Sequence, residues 1–118
     1  MPIFELKTNL AKDKIPGDFP STTVDLVAKI LGKPKSYVVV RVLPDQIMSW
    51  GGTDDPCGLV EFKSIGKIGV AENKKMSAAI SKHLTSNLNL SADRVYINFS
   101  DLDKAMVGYQ GTTFHELL

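Results

Sequence analysis

Cysteine is almost absent from this 118-residue chain: Cys57 stands alone. No intrachain disulfide can form, so packing has to hold the fold. A chain of this length can bury a core without such staples. Histidine is nearly as scarce, with only His83 and His115, far apart in sequence. Two distant imidazoles and one thiol make a poor metal site, so none is expected. His83 lies among apolar helical positions and reads as a packing or surface residue. No run of Lys or Arg stands out and the formal net charge is +1, which argues against nucleic acid as a partner. No apolar stretch approaches the length of a membrane span, so membrane insertion is not expected. The opening Met1-Pro2-Ile3-Phe4-Glu5 lacks the basic-then-apolar pattern of a signal peptide, and the expected site of synthesis is the cytosol. Asn89-Leu90-Ser91 and Asn98-Phe99-Ser100 match the glycosylation sequon, but without entry to the secretory route they read as chance matches.

What is present is a periodic, evenly mixed sequence, 43% hydrophobic and 23% charged, of a size for one domain over residues 1–118. Residues 3–7 read as a strand and 8–18 as a loop. Over 19–31, Val24, Val27, Ile30 and Leu31 recur at helical spacing. Gly32 is placed to cap that helix in the left-handed region, and Pro34 stops it. The valine-dense run 37–43 predicts a strand buried on both faces. A loop through Trp50-Gly51-Gly52 and Asp54-Asp55-Pro56 leads to a third strand over 57–65. A second helix is expected over 71–88, with Met76, Ala79, Ile80, His83, Leu84 and Leu88 on one side. A fourth strand over 94–99 turns Val95, Ile97 and Phe99 one way and Tyr96 and Asn98 the other. A short strand near 107–109 ends the pattern.

The two halves echo each other. Ile3-Phe4-Glu5-Leu6-Lys7 is similar to Leu59-Val60-Glu61-Phe62-Lys63, and each is followed by a helix and a β-branched strand. The expected fold class is α/β (α+β): duplicated βαβ units forming a four-stranded mixed sheet with two helices on one face. Apolar residues on both sides of the strands then imply an uncovered sheet face and an oligomer.

A family resemblance runs through the chain. It is carried by Met1-Pro2, Thr8-Asn9, Gly32-Lys33-Pro34 with Tyr37, Val42-Leu43-Pro44-Asp45-Gln46, Gly51-Gly52 and Pro56-Cys57. It continues through Ser64-Ile65-Gly66-Lys67-Ile68-Gly69, Asp93-Arg94-Val95-Tyr96-Ile97-Asn98 and Val107-Gly108. In order and spacing these resemble the macrophage migration inhibitory factor family of the tautomerase superfamily. The sister group, D-dopachrome tautomerase, shares the proline, Gly32-Lys33-Pro34 and Ser64-Ile65-Gly66 but is less similar at Tyr96 and Asn98.

The resemblance implies a tautomerase-fold homotrimer with active sites at subunit boundaries and no cofactor. It implies Pro2 as catalytic base once Met1 is removed, with Lys33 and the Ile65 amide binding substrate oxygens. Tyr96 and Asn98 would arrive from the neighbouring subunit. Tyr37, Val107, Tyr109 and Phe114 would form an apolar rim, with Ser64 and Lys63 near the pocket. The implied activity is keto–enol tautomerisation of a small aromatic keto acid or quinone-like substrate, of the phenylpyruvate or dopachrome type. The alternative implied role is that of a leaderless cytokine-like ligand for a cell-surface receptor of the invariant-chain type. Such a protein would be cytoplasmic and also secreted by a signal-peptide-independent route.

Independent chemistry bears on two of these residues. An α-amine titrates at about 7.7–8.0 and is lowered by burial or a nearby cation, so a chain-terminal proline suits a base near neutrality. While Met1 remains, that nitrogen is a tertiary amide and no base. Lys33 just past a helix C-terminus also sits where the helix dipole favours any cation. The chain departs from the family pattern where Val60 replaces the second cysteine of a Cys-x-x-Cys pair, which removes thiol-oxidoreductase chemistry by that route. Tyr109 stands where an indole is expected, and Pro20 and the tail His115-Glu116-Leu117-Leu118 also depart from it.

Overall fold

The computed structural model describes every residue from Met1 to Leu118. Strand β1 (Ile3–Thr8) leads through a loop to helix α1 (Phe19–Leu31), strand β2 (Val39–Leu43), strand β3 (Gly58–Ser64), helix α2 (Val70–Leu88) and strand β4 (Val95–Asp101). A small hairpin of β5 (Gly108–Tyr109) and β6 (Thr112–Thr113) follows, and the four-residue helix α3 (Phe114–Leu117) closes the chain. The main sheet has the order β2-β1-β3-β4. The outer pairs are parallel and the central pair is antiparallel. Glu5 faces Glu61 at the centre, and Ile3 faces Lys63 as Lys7 faces Leu59. The two sequence halves are thus related by a pseudo-twofold through that rung.

Alternation assigns the faces. Phe4, Leu6, Val60 and Phe62 turn inward and meet Val27 and Leu31 of α1 and Met76, Ile80, Leu84 and Leu88 of α2. The α1 stripe runs through Phe19, Thr23, Val27 and Leu31, a strict i, i+4 row. Val24, expected on that stripe, is only half-buried, because the helix turns Thr23 to the core instead. Gly32 ends α1 at φ 64°, and the Lys33 amide reaches back to the Ala28 carbonyl at 3.0 Å. That 6→1 bond is a Schellman cap.

His83 packs between the helices. Its ring stacks on Phe19 at 5.4 Å. The Thr23 hydroxyl gives its proton to the Phe19 carbonyl at 2.6 Å, so it accepts from His83 Nε2 at 2.9 Å. Asn87 Nδ2 donates to His83 Nδ1 at 3.2 Å. Burial lowers the His83 pKa.

Three expectations need correction. Residues 35–37 form a 3₁₀ turn after Pro34, so β2 starts at Val39 and Tyr37 lies outside it. Strand β2 is an edge strand covered on one face by α1, and Val39 on the other face is 55% exposed. The uncovered sheet face is also not uniformly apolar. Val39, Leu59 and Tyr96 share it with a polar row, Arg41, Glu5, Glu61 and Asn98. Within that row Arg41 approaches Glu5 at 3.7 Å, and Asn98 Nδ2 donates to Glu61 at 3.0 Å. No helix is long and apolar enough to cross a membrane.

Candidate functional site

Pro2 immediately precedes β1, a central strand of the sheet, and its side chain is fully buried. Its carbonyl accepts from the Val39 amide at 3.0 Å, which ties the N-terminus to the start of β2. Met1 precedes it, and the Met1 ammonium has a lowered pKa, first from burial and then from the charge of Lys33. The N-terminus and Lys33 therefore share one electrostatic neighbourhood.

Lys33 is delivered by the Schellman cap and reaches across to the end of β3. Its Nζ donates to Ser64 Oγ at 2.9 Å and to the Ile65 carbonyl at 2.5 Å. Burial lowers its pKa, Lys67 lowers it further, and Asp101 opposes both. The β3 terminus is itself fixed. The Leu102 amide donates to the Ser64 carbonyl at 2.8 Å, and the Gly66 amide to Asp101 Oδ1 at 3.0 Å. Gly66 turns the chain at φ 77°, a left-handed conformation that glycine adopts without strain. Asp101 is thus a site residue that sequence reasoning missed. Its link to Gly66 comes from the parallel pairing of Ser64 with Asp101, which no local motif displays.

The three aromatic residues expected at the rim lie against one another. Tyr37 meets Tyr109 at 5.8 Å and Phe114 at 6.1 Å, and Tyr109 stacks on Phe114 at 5.4 Å. Val107 joins them through its carbonyl, which accepts from the Phe114 amide at 3.1 Å. Phe114 is buried at the start of α3, whereas Tyr37 and Tyr109 are exposed. Lys63 pairs with Ile3 on the uncovered face, one residue before buried Ser64.

Tyr96 and Asn98 do not join Pro2 within one protomer. Tyr96 pairs with Leu59, four positions along β3 from the Lys63 rung that faces Ile3. That is roughly 13 Å along the strand. Tyr96 is 68% exposed on the open face. The principal hollows of the protomer include neither Pro2 nor Lys33. Pro2, Lys33, Ser64 and Ile65 form one group, the rim a second, and Tyr96 with Asn98 a third on another face. No cluster of metal-ligating side chains occurs.

Comparison with known proteins agrees over nearly the whole chain. The family model described as macrophage migration inhibitory factor matches residues 1–115. The macrophage migration inhibitory factor of Xenopus tropicalis is 45% identical over 114 residues, 97% of this chain and 99% of that protein. The mouse (Mus musculus) protein is 44% identical over the same shares. Among solved structures, the macrophage migration inhibitory factor of Trichinella spiralis superposes with a TM-score of 0.92 at 41% identity, covering 94% of this chain and 98% of that one.

Proposed function

We propose, from the premise that this chain belongs to the macrophage migration inhibitory factor family, that it is a keto–enol tautomerase whose base is the Pro2 amine after Met1 is removed. The observation that carries the reading is the setting of the N-terminus. The Met1 ammonium, partly buried and beside Lys33, is disfavoured in its charged form, and the Pro2 amine that replaces it as the terminus after processing would lie in the same setting. An amine held neutral near pH 7 can accept a proton from the carbon beside a carbonyl, and the same N–H can return it at the other end of the enolate.

Negative charge then develops on the substrate oxygen. Lys33, already aimed by Ser64 and the Ile65 carbonyl, is the donor placed to stabilise it. The Tyr37, Val107, Tyr109 and Phe114 cluster, with Tyr37 set edge-on to the parallel rings of Tyr109 and Phe114, offers an aromatic surface suited to an aryl keto acid such as phenylpyruvate, or to a dopachrome-like quinone. Tyr96 and Asn98 complete the pocket from the neighbouring protomer of a homotrimer. Their distance from Pro2 within one chain, and the open sheet face on which they lie, support that assembly.

The test is turnover of phenylpyruvate by the processed protein and its Pro2→Gly variant. The expected loss is roughly 10²–10⁴-fold, the usual worth of a positioned base. Undiminished turnover would refute the assignment.

A second reading is favoured by the names of the relatives, which denote a factor acting on macrophages. In this reading the chain also acts outside the cell as a ligand for a receptor of the invariant-chain type, reaching it by a signal-independent route. Receptor binding by Pro2→Gly separates the roles. Retained binding with lost turnover supports two functions, and joint loss argues for one.

A further inference from the structure

Trp50 is the only tryptophan of the chain, and the site described above does not use it. It is held by its backbone at the base of a tight hairpin. Its amide donates to the Thr53 carbonyl at 2.9 Å and its carbonyl accepts from the Thr53 amide at 3.2 Å. Gly51 and Gly52 between them adopt φ 60° and 85°, as a type I′ turn requires. Arg94 reinforces this anchor. Nη1 donates to the Trp50 carbonyl at 3.2 Å, Nη2 to Asp55 at 2.8 Å and Nε to Pro56 at 3.1 Å. The guanidinium carbon also lies 6.0 Å from the indole centre, within cation–π range.

The indole then meets Tyr96 with ring centroids 4.4 Å apart, tilted by 37°. Arg94 ends the 3₁₀ turn that leads into β4 and Tyr96 is the second residue of that strand, and both address the one indole. Tyr96 is otherwise exposed, and the indole is its one aromatic partner. A depression of about 310 Å³, lined by Met48, Trp50, Leu59 and Tyr96 among others, lies beside the pair. A smaller side chain at position 50 would open that space to the phenol ring.

We propose that Trp50 is the positioning residue for Tyr96. Pinned by Arg94, the indole holds the phenol ring in the orientation that it presents to the neighbouring protomer's pocket, and so favours flat aromatic substrates. This rests on the tautomerase reading above, and the test separates the two.

The first arm is emission of the single tryptophan, which needs no catalysis. In the processed protein, Tyr96→Leu should shift Trp50 emission to longer wavelength as the indole loses its ring partner. The second arm is kinetics with phenylpyruvate. Trp50→Leu should raise KM about fivefold with kcat within about twofold, and Trp50→Phe should restore KM, since an aromatic partner is kept. Unchanged emission in Tyr96→Leu, a KM for Trp50→Leu within about twofold of wild type, or failure of Trp50→Phe to restore it would each overturn the proposal. Absence of turnover in the wild type would end the tautomerase reading and the substrate preference with it. The emission arm would then decide alone whether Trp50 and Tyr96 are in contact, the geometry that the positioning role requires.

Discussion

At the scale of single residues, the chemistry reduces to one amine and one ammonium that disfavour each other's charge. Burial and Lys33 both push the Met1 ammonium below its usual value of 8.0, and the Pro2 amine freed by removal of Met1 is expected to meet the same two influences. The base works when neutral, so kcat/KM should rise with pH and reach half its plateau below that value. Lys33→Gln removes the flanking cation and should move the midpoint to higher pH. It should also lower kcat/KM by roughly 10²-fold, because the developing oxyanion loses its donor. A pH–rate profile of both proteins checks this, and an unmoved midpoint would show that Lys33 does not act on the amine. At this scale the sequence was informative only through resemblance. Pro2 after Met1 and Lys33 after a helix each have an ordinary structural explanation, and only the fold joins them to Ser64 and Ile65. Trp50 gave no signal, because its partners Arg94 and Tyr96 are remote in sequence and its value lies in the stack they make.

At the scale of elements, most of the fold could be read from periodicity. Helix α1 was legible because Gly32 and Pro34 punctuate it, and β4 because its alternation is clean. The start of β2 was not, since Pro34 launches a 3₁₀ turn that valine content alone cannot reveal. The pair β5 and β6 has two residues per strand and α3 has four, too short for any period to register. The packing of α1 on α2 carries two predictions. Ile80 is fully buried in the core, so Ile80→Ala should cost about 2–5 kcal/mol in chemical denaturation. His83 has a lowered pKa, so the unfolded chain holds its proton more tightly than the folded one. The stability tied to this ring is therefore complete above about 6.5 and is lost as pH falls from there through the lowered folded value. A second proton would place an Nδ1–H against the Asn87 amide, which already donates to that atom. Denaturation midpoints of wild type and His83→Gln across this range should converge as pH falls. A constant difference would show that the ring does not titrate differently on folding.

At the scale of the whole molecule, the protomer is an unfinished object. Its helices cover one sheet face, while the other exposes Val39, Tyr96 and the row through Glu5 and Glu61. The sequence foretold the uncovered face from the duplicated halves but overstated its apolarity, because alternation mixes Ile3 and Leu59 with Glu5, Lys7 and Glu61. Sedimentation equilibrium should give a particle of three times the 12.9 kDa chain mass. In a cyclic trimer every site is shared the same way around the ring, so chains defective at opposite edges should complement each other. Pro2→Gly supplies a sound Tyr96 edge, and Tyr96→Ala supplies a sound amine. Co-refolded in equal amounts, they should regain about a quarter of wild-type kcat/KM, since that fraction of junctions pairs both intact partners by random assembly. A site built within one chain would instead give only the mean of the two parents, and that result would contradict the shared cleft on which the account depends.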